Sequence, residues 1–390
     1  MSTLKVGGIR GVSASSDAIT VANDGTCTAN ITNNLSNRNK VINGAALVAQ
    51  RGTISDHGTS VKYTAVDRFC TRIGTSFNFD ITSSQSTDAP AGFANSLKLS
   101  PDSTQTPTGS ANGGIQTKLE GQDLQDFAFG TSSAKPMTLS FYAKSGSAGA
   151  GTYSIEMQWV SSGGTLYQQT RAFTITSSFQ RFTFTFEANG DSTSVAMKND
   201  NTDAVRIIWH LASGPDDQTS AITTWTSTSA MKTITGMDNF MSSTSNEFYI
   251  TGVQLEVGEH ATDFEHRTYA QELELCKRYF FMIGKDSFRN DNRMSFPFIN
   301  EAPSNTGGYI DFRFHPEMRA TPTATIGSSL QLGRPQVDMS SHTVSSFNNM
   351  GPAGCHFFQY NNQTGSTGDA DKYLRAGFHT NAFAEFSAEL

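Results

Sequence analysis

The chain is short of charge. Charged residues make up 16% of its 390 positions, and no block of Lys or Arg stands anywhere in it. A protein that grips nucleic acid needs a basic stripe to neutralise phosphates, so a formal net charge of −7 sets that function aside. Cysteine is scarce as well. Cys27, Cys70, Cys276 and Cys355 lie far apart, with no CxxC spacing and no Cys/His ligand pattern. Such scattered thiols point to a protein made in a reducing cytoplasm, not to a disulfide scaffold. Long hydrophobic runs are missing too. No stretch approaches a membrane span, and the start, MSTLKVGGIRGVSA, lacks the apolar run of a secretory leader, so neither membrane insertion nor export is expected.

What the chain does have is turn residues and aromatics. Ser, Thr, Gly and Asn fill most of the positions left by 36% apolar residues, and Phe occurs 28 times. That mix suits many short strands joined by turns, with enough aromatic surface to fold. Period-two alternation is clear in several places. Leu139, Phe141 and Ala143 alternate with Thr138, Ser140 and Tyr142; Tyr153, Ile155, Met157 and Trp159 alternate with Ser154, Glu156 and Gln158. Phe182, Phe184 and Phe186 follow the same rule, as do Val205, Ile207, Trp209 and Leu211 against Arg206, Ile208 and His210. About eight such strands, broken by turns such as Ser162-Gly163-Gly164, predict an antiparallel jelly roll with one face of each sheet in the core.

The pattern changes along the chain. Residues 1–40 are polar with isolated apolar positions, too few to fold alone, and predict an extended arm that orders against a partner, with Leu4, Val6, Ile9 and Val12 as candidate attachment residues. Residues 41–266 carry the jelly-roll β-sandwich, interrupted by a Ser/Thr-rich insertion between Ser213 and Glu247. Residues 267–284 predict one linking helix. Thr268 and Gln271 have capping-box spacing, Tyr269, Leu273, Cys276 and Phe280 form one apolar stripe suited to docking a neighbouring domain, and Gly284 can close the helix. Residues 285–390 predict a smaller C-terminal β domain. The fold class is therefore all-β.

Several segments, in order, resemble one family. They are INGAALVAQRGT (42–53), VDRF (66–69), TDAPAGFANSLK (87–98), KLEGQDLQDFAFGTSSAKPMTLSFYAKS (118–145), ITGVQLEVGEHATDFEHRTYAQELELCKRYF (250–280), HPEMRATPT (315–323) and the final AEL. The chain resembles tail-fibre-like structural proteins of tailed bacteriophages and prophages. The resemblance implies a jelly roll similar to carbohydrate-binding modules in a homo-oligomeric, trimeric virion appendage. It implies virion partners for the N-terminal arm, a host-surface glycan as ligand, and location in a virion assembled in the host cytoplasm. It supplies no catalytic residues. One departure stands out: Glu259, His260 and Asp263 occupy positions where relatives carry apolar or small residues and Pro.

Candidate sites are few. Glu256, Glu259, His260, Asp263, Glu265 and His266 offer carboxylates and imidazoles to a divalent ion, but strand alternation points them in different directions, and no calcium loop or HExxH motif is present. Asp216-Asp217 in a Gly-Pro loop could be half of a glycosidase pair, or simply a turn. No GxSxG or Walker motif occurs, so no catalytic residue, metal or cofactor is expected. Trp225 lies in the polar insertion: exposed, it could stack on a sugar; buried, it pins the insertion down. Tyr360, Asn361, Asn362 and Tyr373 offer flat rings and amides suited to a glycan, although the same residues also make an ordinary loop. The expected function is non-enzymatic host-surface recognition by a tail fibre. The alternatives are an adaptor or capsid-decorating fibre with no receptor role, a polysaccharide-degrading tailspike, and a free carbohydrate-binding module.

Overall fold

The structure, a computed structural model, describes residues 6–13, 18–21, 27–29, 37–75, 77–190, 196–227, 232–284, 293–295, 310–326, 330–333, 347–357, 375–378 and 383–390. The body is built from β1 (Phe69–Gly74), β2 (Ile81–Ser86), β3 (Ser96–Pro101), β4 (Asn112–Glu120), β5 (Met137–Ser145) and β6 (Gly151–Val160). It continues with β7 (Leu166–Ile175), β8 (Gln180–Phe186), β9 (Asp203–Ser213), β10 (Thr226–Ser227) and β11 (Phe248–Val257). One sheet has six strands in the order β10-β7-β6-β9-β4-β1, and the other has five in the order β8-β5-β11-β3-β2. Neighbours pair antiparallel throughout both sheets. This is the all-β jelly-roll sandwich that the alternation implied.

The core lies between the sheets. Tyr153, Ile155, Met157 and Trp159 of β6 and Val205, Ile207, Trp209 and Leu211 of β9 are each at most 1% exposed. From the opposite sheet Phe141 meets the rings of Phe173 and Trp209 at 5.5 and 5.6 Å, and within its own sheet that of Phe182 at 5.3 Å. Each such ring pair adds about 0.5–1.5 kcal/mol beyond the area it buries. The body starts slightly before Val41. Lys40 N donates to Leu255 O (2.9 Å), Val253 N donates to Gly44 O (2.9 Å), and Asn39 is only 2% exposed. Gly44 has to be glycine here, since a Cβ would stand 2.0 Å from Val253 O.

The linking segment departs from expectation. α1 spans Tyr269–Lys277 and has the predicted capping box: Gln271 N donates to Thr268 Oγ1, and Thr268 N donates to Gln271 Oε1 (2.9 Å). It does not run on to Gly284. Phe280–Gly284 is a strand, β12, paired with β14 (Phe383–Ser387), which also takes β13 (Thr323–Ile326) on its other edge. Phe280, Phe281, Met282 and Ile283 suit a pleated surface, and β14 supplies a ladder for them. The expected stripe is therefore only partly correct. Tyr269 is 58% exposed and Leu273 half-buried, while the buried helix residues are Glu272 and Cys276. Phe280 is buried, but on the strand. Two more three-stranded sheets follow. One joins Arg293–Ser295, Arg375–Phe378 and Leu330–Gly333; the other joins Ile310–Arg313, Gly354–Phe357 and Phe347–Gly351.

The N-terminal stretch forms a small sheet of Gly8–Ile9, Ile19–Val21 and Cys27–Ala29. Val6, Ile9 and Val12 are exposed, at 45%, 54% and 107%. Leu4 lies outside the described residues.

Candidate functional site

Two polar regions need to be told apart, and hydrogen-bond satisfaction separates them. The first lies where α1 leaves the sandwich. Asn43 N donates to Glu272 Oε2 (2.8 Å), and Gln50 Nε2 donates to Asp67 Oδ2 (2.5 Å). Arg51 pairs with Asp67 (3.3 Å) and with Glu389 (3.1 Å), and Arg68 pairs with Glu389 as well. The Arg51 guanidinium lies 3.5 Å from the Phe280 ring centroid, and that of Arg68 lies 3.4 Å from the Tyr279 centroid. Arg278 forks onto Glu120 at 3.1 and 2.9 Å. Arg319 donates to Ala388 O (2.8 Å), Glu389 O (3.1 Å) and Asn201 O (2.9 Å). Burial pushes the Asp67 carboxyl up to about 7, against the pull of Arg51 and Gln50. The segments that carry the family resemblance thus converge: ING, VDRF, KLEG, ELELCKRYF, HPEMR and AEL all meet here. Almost every polar group in this joint already has an internal partner, so it holds the chain together and leaves little for a ligand.

The residues singled out from the sequence fall elsewhere. Trp225 is half-buried. Its Nε1 donates to Glu187 O (2.7 Å), and its ring meets Phe129, Trp159 and Phe186 at 6.1–6.2 Å. It pins the insertion to the core. Tyr360, Asn361, Asn362 and Tyr373 lie outside the described residues. The 256–266 cluster is a latch and does not gather around one point. Glu256 is buried and accepts from Gln254 Nε2 (2.9 Å), Thr262 N (2.8 Å) and Thr262 Oγ1 (2.7 Å). Glu265 instead accepts from Asn39 N (2.8 Å), and His266 lies against Phe93 and Phe264 at 5.1 and 4.9 Å. Asp217 accepts from Asn112 Nδ2 (2.6 Å) and so belongs to a turn. Among the described residues, one acidic trio, Asp56, Asp80 and Asp102, brings carboxylate oxygens within 4.8 Å of one another. Exposed acids of this kind do not by themselves make a metal site.

The second region is the outer face of the six-stranded sheet, and it was not anticipated. Register sets its residues in rows across β7, β6, β9, β4 and β1. One row is Gln168, Gln158, Arg206 and Lys118. The next is Thr170, Glu156, Ile208, Gln116 and Cys70. The third is Ala172, Ser154, His210, Gly114 and Arg72. Such a face would ordinarily be solvated. Here Gln116, Ser154, Glu156, Gln158, Gln168 and His210 are all at most 1% exposed. His210 Nε2 lies 2.7 Å from Glu156 Oε2, and Gln158 Nε2 donates to Glu156 Oε1 (2.6 Å). Five atoms beyond these lack partners among the described residues: Gln116 Oε1, Ser154 Oγ, Gln158 Oε1, and Oε1 and Nε2 of Gln168; His210 Nδ1 is in the same state. The face meets solvent at its margins, where Ala172 is exposed and Arg72, Arg206 and Lys118 are half-buried. Burial lowers the pKa of both Arg72 and Lys118.

A buried polar group left without a partner costs about 1–3 kcal/mol. Several of them on one face depart from the usual pairing of buried polar groups. Amide, hydroxyl and imidazole groups at strand spacing can exchange hydrogen bonds with a polyhydroxylated ligand. Trp159 and Trp209 also hold unpartnered Nε1 atoms, but these lie in the core layer between the sheets, out of a ligand's reach. The sequence did carry a signal for the outer face. Three of the outward positions are glutamines, with Glu156 and His210 on the same face, where a plain solvent face would favour Lys, Thr and Ser.

No protein family and no curated protein matches the chain. Solved structures overlap it in part. The enzymatically active domain of bacteriophage CBA120 tailspike protein 4 is 12% identical over 56% of this chain and 21% of that one, with a TM-score of 0.29. The chain therefore spans about a fifth of that domain's length. The family 11 carbohydrate-binding module of a Clostridium thermocellum cellulosomal cellulase is 14% identical over 52% of this chain and 99% of that one, with a TM-score of 0.28. The CBM22-1 xylan-binding domain of Paenibacillus barcinonensis Xyn10C is 10% identical over 58% and 100%, with a TM-score of 0.27. Scores this low carry no inference about ligand or activity.

Proposed function

We propose that the chain is a non-enzymatic structural protein of a phage particle, a tail fibre or related appendage, and that its sandwich recognises a glycan on the host surface. The observation that carries the recognition role is the outer face of the six-stranded sheet, with buried amide, hydroxyl and imidazole groups that have no partner among the described residues. Sugar hydroxyls both donate and accept, so they complement such a set. The virion role draws support from the ordered segments between residues 42 and 390 that resemble tail-fibre-like proteins and meet in one joint. Exposed Val6, Ile9 and Val12 suit an arm that docks onto other virion proteins or onto further copies of the chain, a trimer in this proposal. Binding is favoured over hydrolysis because a glycosidase needs two carboxyl groups facing one bond, and Glu156 is the one acidic residue in the three described rows of this face.

The test uses the purified full chain. It is expected to bind host envelopes, to reduce infection when added ahead of phage, and to release no reducing sugar. Failure to bind host envelopes or cells would point to an adaptor or decorating protein. Release of reducing sugar would overturn the non-enzymatic assignment.

A further inference from the structure

We infer that the open edge of the five-stranded sheet is a docking surface for a second copy of this chain, which adds its own β8 antiparallel about a two-fold axis at Phe184. The contact is separate from the glycan face proposed above.

A sheet edge presents unpaired N–H and C=O groups, and proteins normally cover or blunt it. Of the four edges of the sandwich, three are closed. Along β1, Thr64 N donates to Phe69 O and Thr71 N donates to Lys62 O, both at 2.8 Å. Along β2, Ile54 N donates to Ser83 O (3.0 Å) and Ser83 N donates to Ile54 O (2.7 Å). β10 is two residues long, and near it Ile222 O accepts from Thr170 N of β7 (2.8 Å). β8 differs. It pairs with β5 from Gln180 to Phe186 without a register shift, and among the described residues no backbone hydrogen bond reaches its other side. It carries no Pro, no Lys and no bulge to blunt that side. The open stretch ends where Trp225 Nε1 donates to Glu187 O (2.7 Å).

The side chains are open as well. Phe182 and Phe184 pack on the core and stack on Phe141 at 5.3 and 6.3 Å, yet both are only half-buried, whereas Phe186 is fully buried. Such rings at the end of a layer suit one more strand with apolar residues at alternate positions, added to the edge.

The sequence of β8 identifies that strand. Opposite residues of an antiparallel pair share a face. Two copies of β8 centred on Phe184 set Phe182 opposite Phe186, Thr183 opposite Thr185, and Arg181 opposite Glu187. Ring then meets ring on the inner face, and at each end of the outer face a cation meets an anion. Both charged residues are exposed, and neither has an ion pair within the chain among the described residues; Arg181 donates to Ser140 Oγ (3.3 Å) and Thr262 O. Moving the axis to Thr183 or Thr185 loses both ion pairs, since Arg181 then faces Thr185 or Asn189. Charge complementarity therefore selects both the partner and the register. The contact is isologous and joins copies two at a time, apart from any contact made by the arm.

Sedimentation velocity of the full chain over a dilution series tests the pairing. Arg181→Glu and Glu187→Arg each set like charges opposite one another twice. In either variant the concentration at which the assembled mass halves should rise at least about tenfold over wild type, whatever the arm contributes. The combined Arg181→Glu/Glu187→Arg chain regains two ion pairs and should return to the wild-type value. That recovery separates pairing from a role within one chain, because the bonds of Arg181 to Ser140 and Thr262 stay lost in it. A double variant no better than the single ones would overturn the pairing. So would an assembled mass that is the same in wild type and both single variants at every concentration, which would leave the edge to a strand of a different protein.

Discussion

Replacing Glu389 with Gln removes a carboxylate that ties the C-terminal strand region to the sandwich. Its side chain is 4% exposed, and its two partners, Arg51 and Arg68, are 10% and 2% exposed. After the change Arg51 keeps Asp67, but Arg68 keeps only the Tyr279 ring and its donation to Lys118 O (2.8 Å). Removing one partner of a buried pair generally costs about 3–5 kcal/mol. The cation–π contact on Tyr279 holds back about 1 kcal/mol of that. A loss of roughly 3 kcal/mol is therefore expected. The assay is urea unfolding of wild type, Glu389→Gln, Arg68→Met and the double variant, with limited proteolysis read at Phe383–Leu390. The double variant should recover at least half of the loss, because no charge is then left buried alone. A loss below about 1 kcal/mol, or unchanged protease resistance of the terminal strand, would refute the view that this joint is a rigid bolt.

Three further outcomes are expected. Burial holds the His57 imidazole down, from its usual 6.5 to about 4, with Lys62 adding to the effect. The unfolded chain then takes up the proton first, so stability is complete above pH 6.5 and falls as pH drops toward 4, by up to about 3 kcal/mol. Urea midpoints between pH 4 and 7.5 should show this slope, and His57→Asn should flatten it; an equal slope in the variant would contradict the assignment. Trp225→Ala should lower stability by roughly 2–3 kcal/mol and leave binding to host envelopes unchanged, as thermal unfolding and the envelope-binding assay will show; lost binding at full stability would make Trp225 a sugar contact instead. Gly252 has φ +62°, and a Cβ there would come within 2.8 Å of Phe93 Cζ. Gly252→Ala should therefore lower the unfolding midpoint, by about 1–3 kcal/mol, and a midpoint equal to wild type would be inconsistent with that crowding.

The architecture was largely legible because period two is a local signal. Each strand of the sandwich announces its inward set, as Tyr153 to Trp159 and Val205 to Leu211 do. The capping box of Thr268 and Gln271 was equally local and is present as read. The end of the helix was not legible. Phe280 continues the helical stripe by spacing alone, and only β14, more than a hundred residues further on, turns it into a strand. For the same reason the helix buries Glu272 in place of Tyr269. Its partners are Arg267, just ahead of the helix, and the Asn43 amide, which comes from the distant start of the sandwich. The outer face of the six-stranded sheet escaped for a different reason. Alternation assigns Ser154, Glu156, Gln158 and His210 to the outward side, and outward is normally taken to mean solvated. That they are buried, and short of partners, depends on cross-strand register and on what packs around the sheet, neither of which one strand encodes. The 256–266 cluster was misleading in the opposite sense. It is dense in the sequence, yet Glu256 and Glu265 bond in different places.

The central claim is that the joint is satisfied and serves the fold, whereas the outer face is unsatisfied and serves binding. Gln158→Leu/Gln168→Leu tests it in one measurement, affinity for host envelope polysaccharide recorded together with the unfolding midpoint. Replacing unpartnered buried amides by apolar groups removes a desolvation penalty. A binding site also tends to be held at the expense of stability. The predicted result is a midpoint equal to or above wild type with affinity reduced at least about tenfold. A lower midpoint with affinity intact would mean that these glutamines are structural, and would contradict the account.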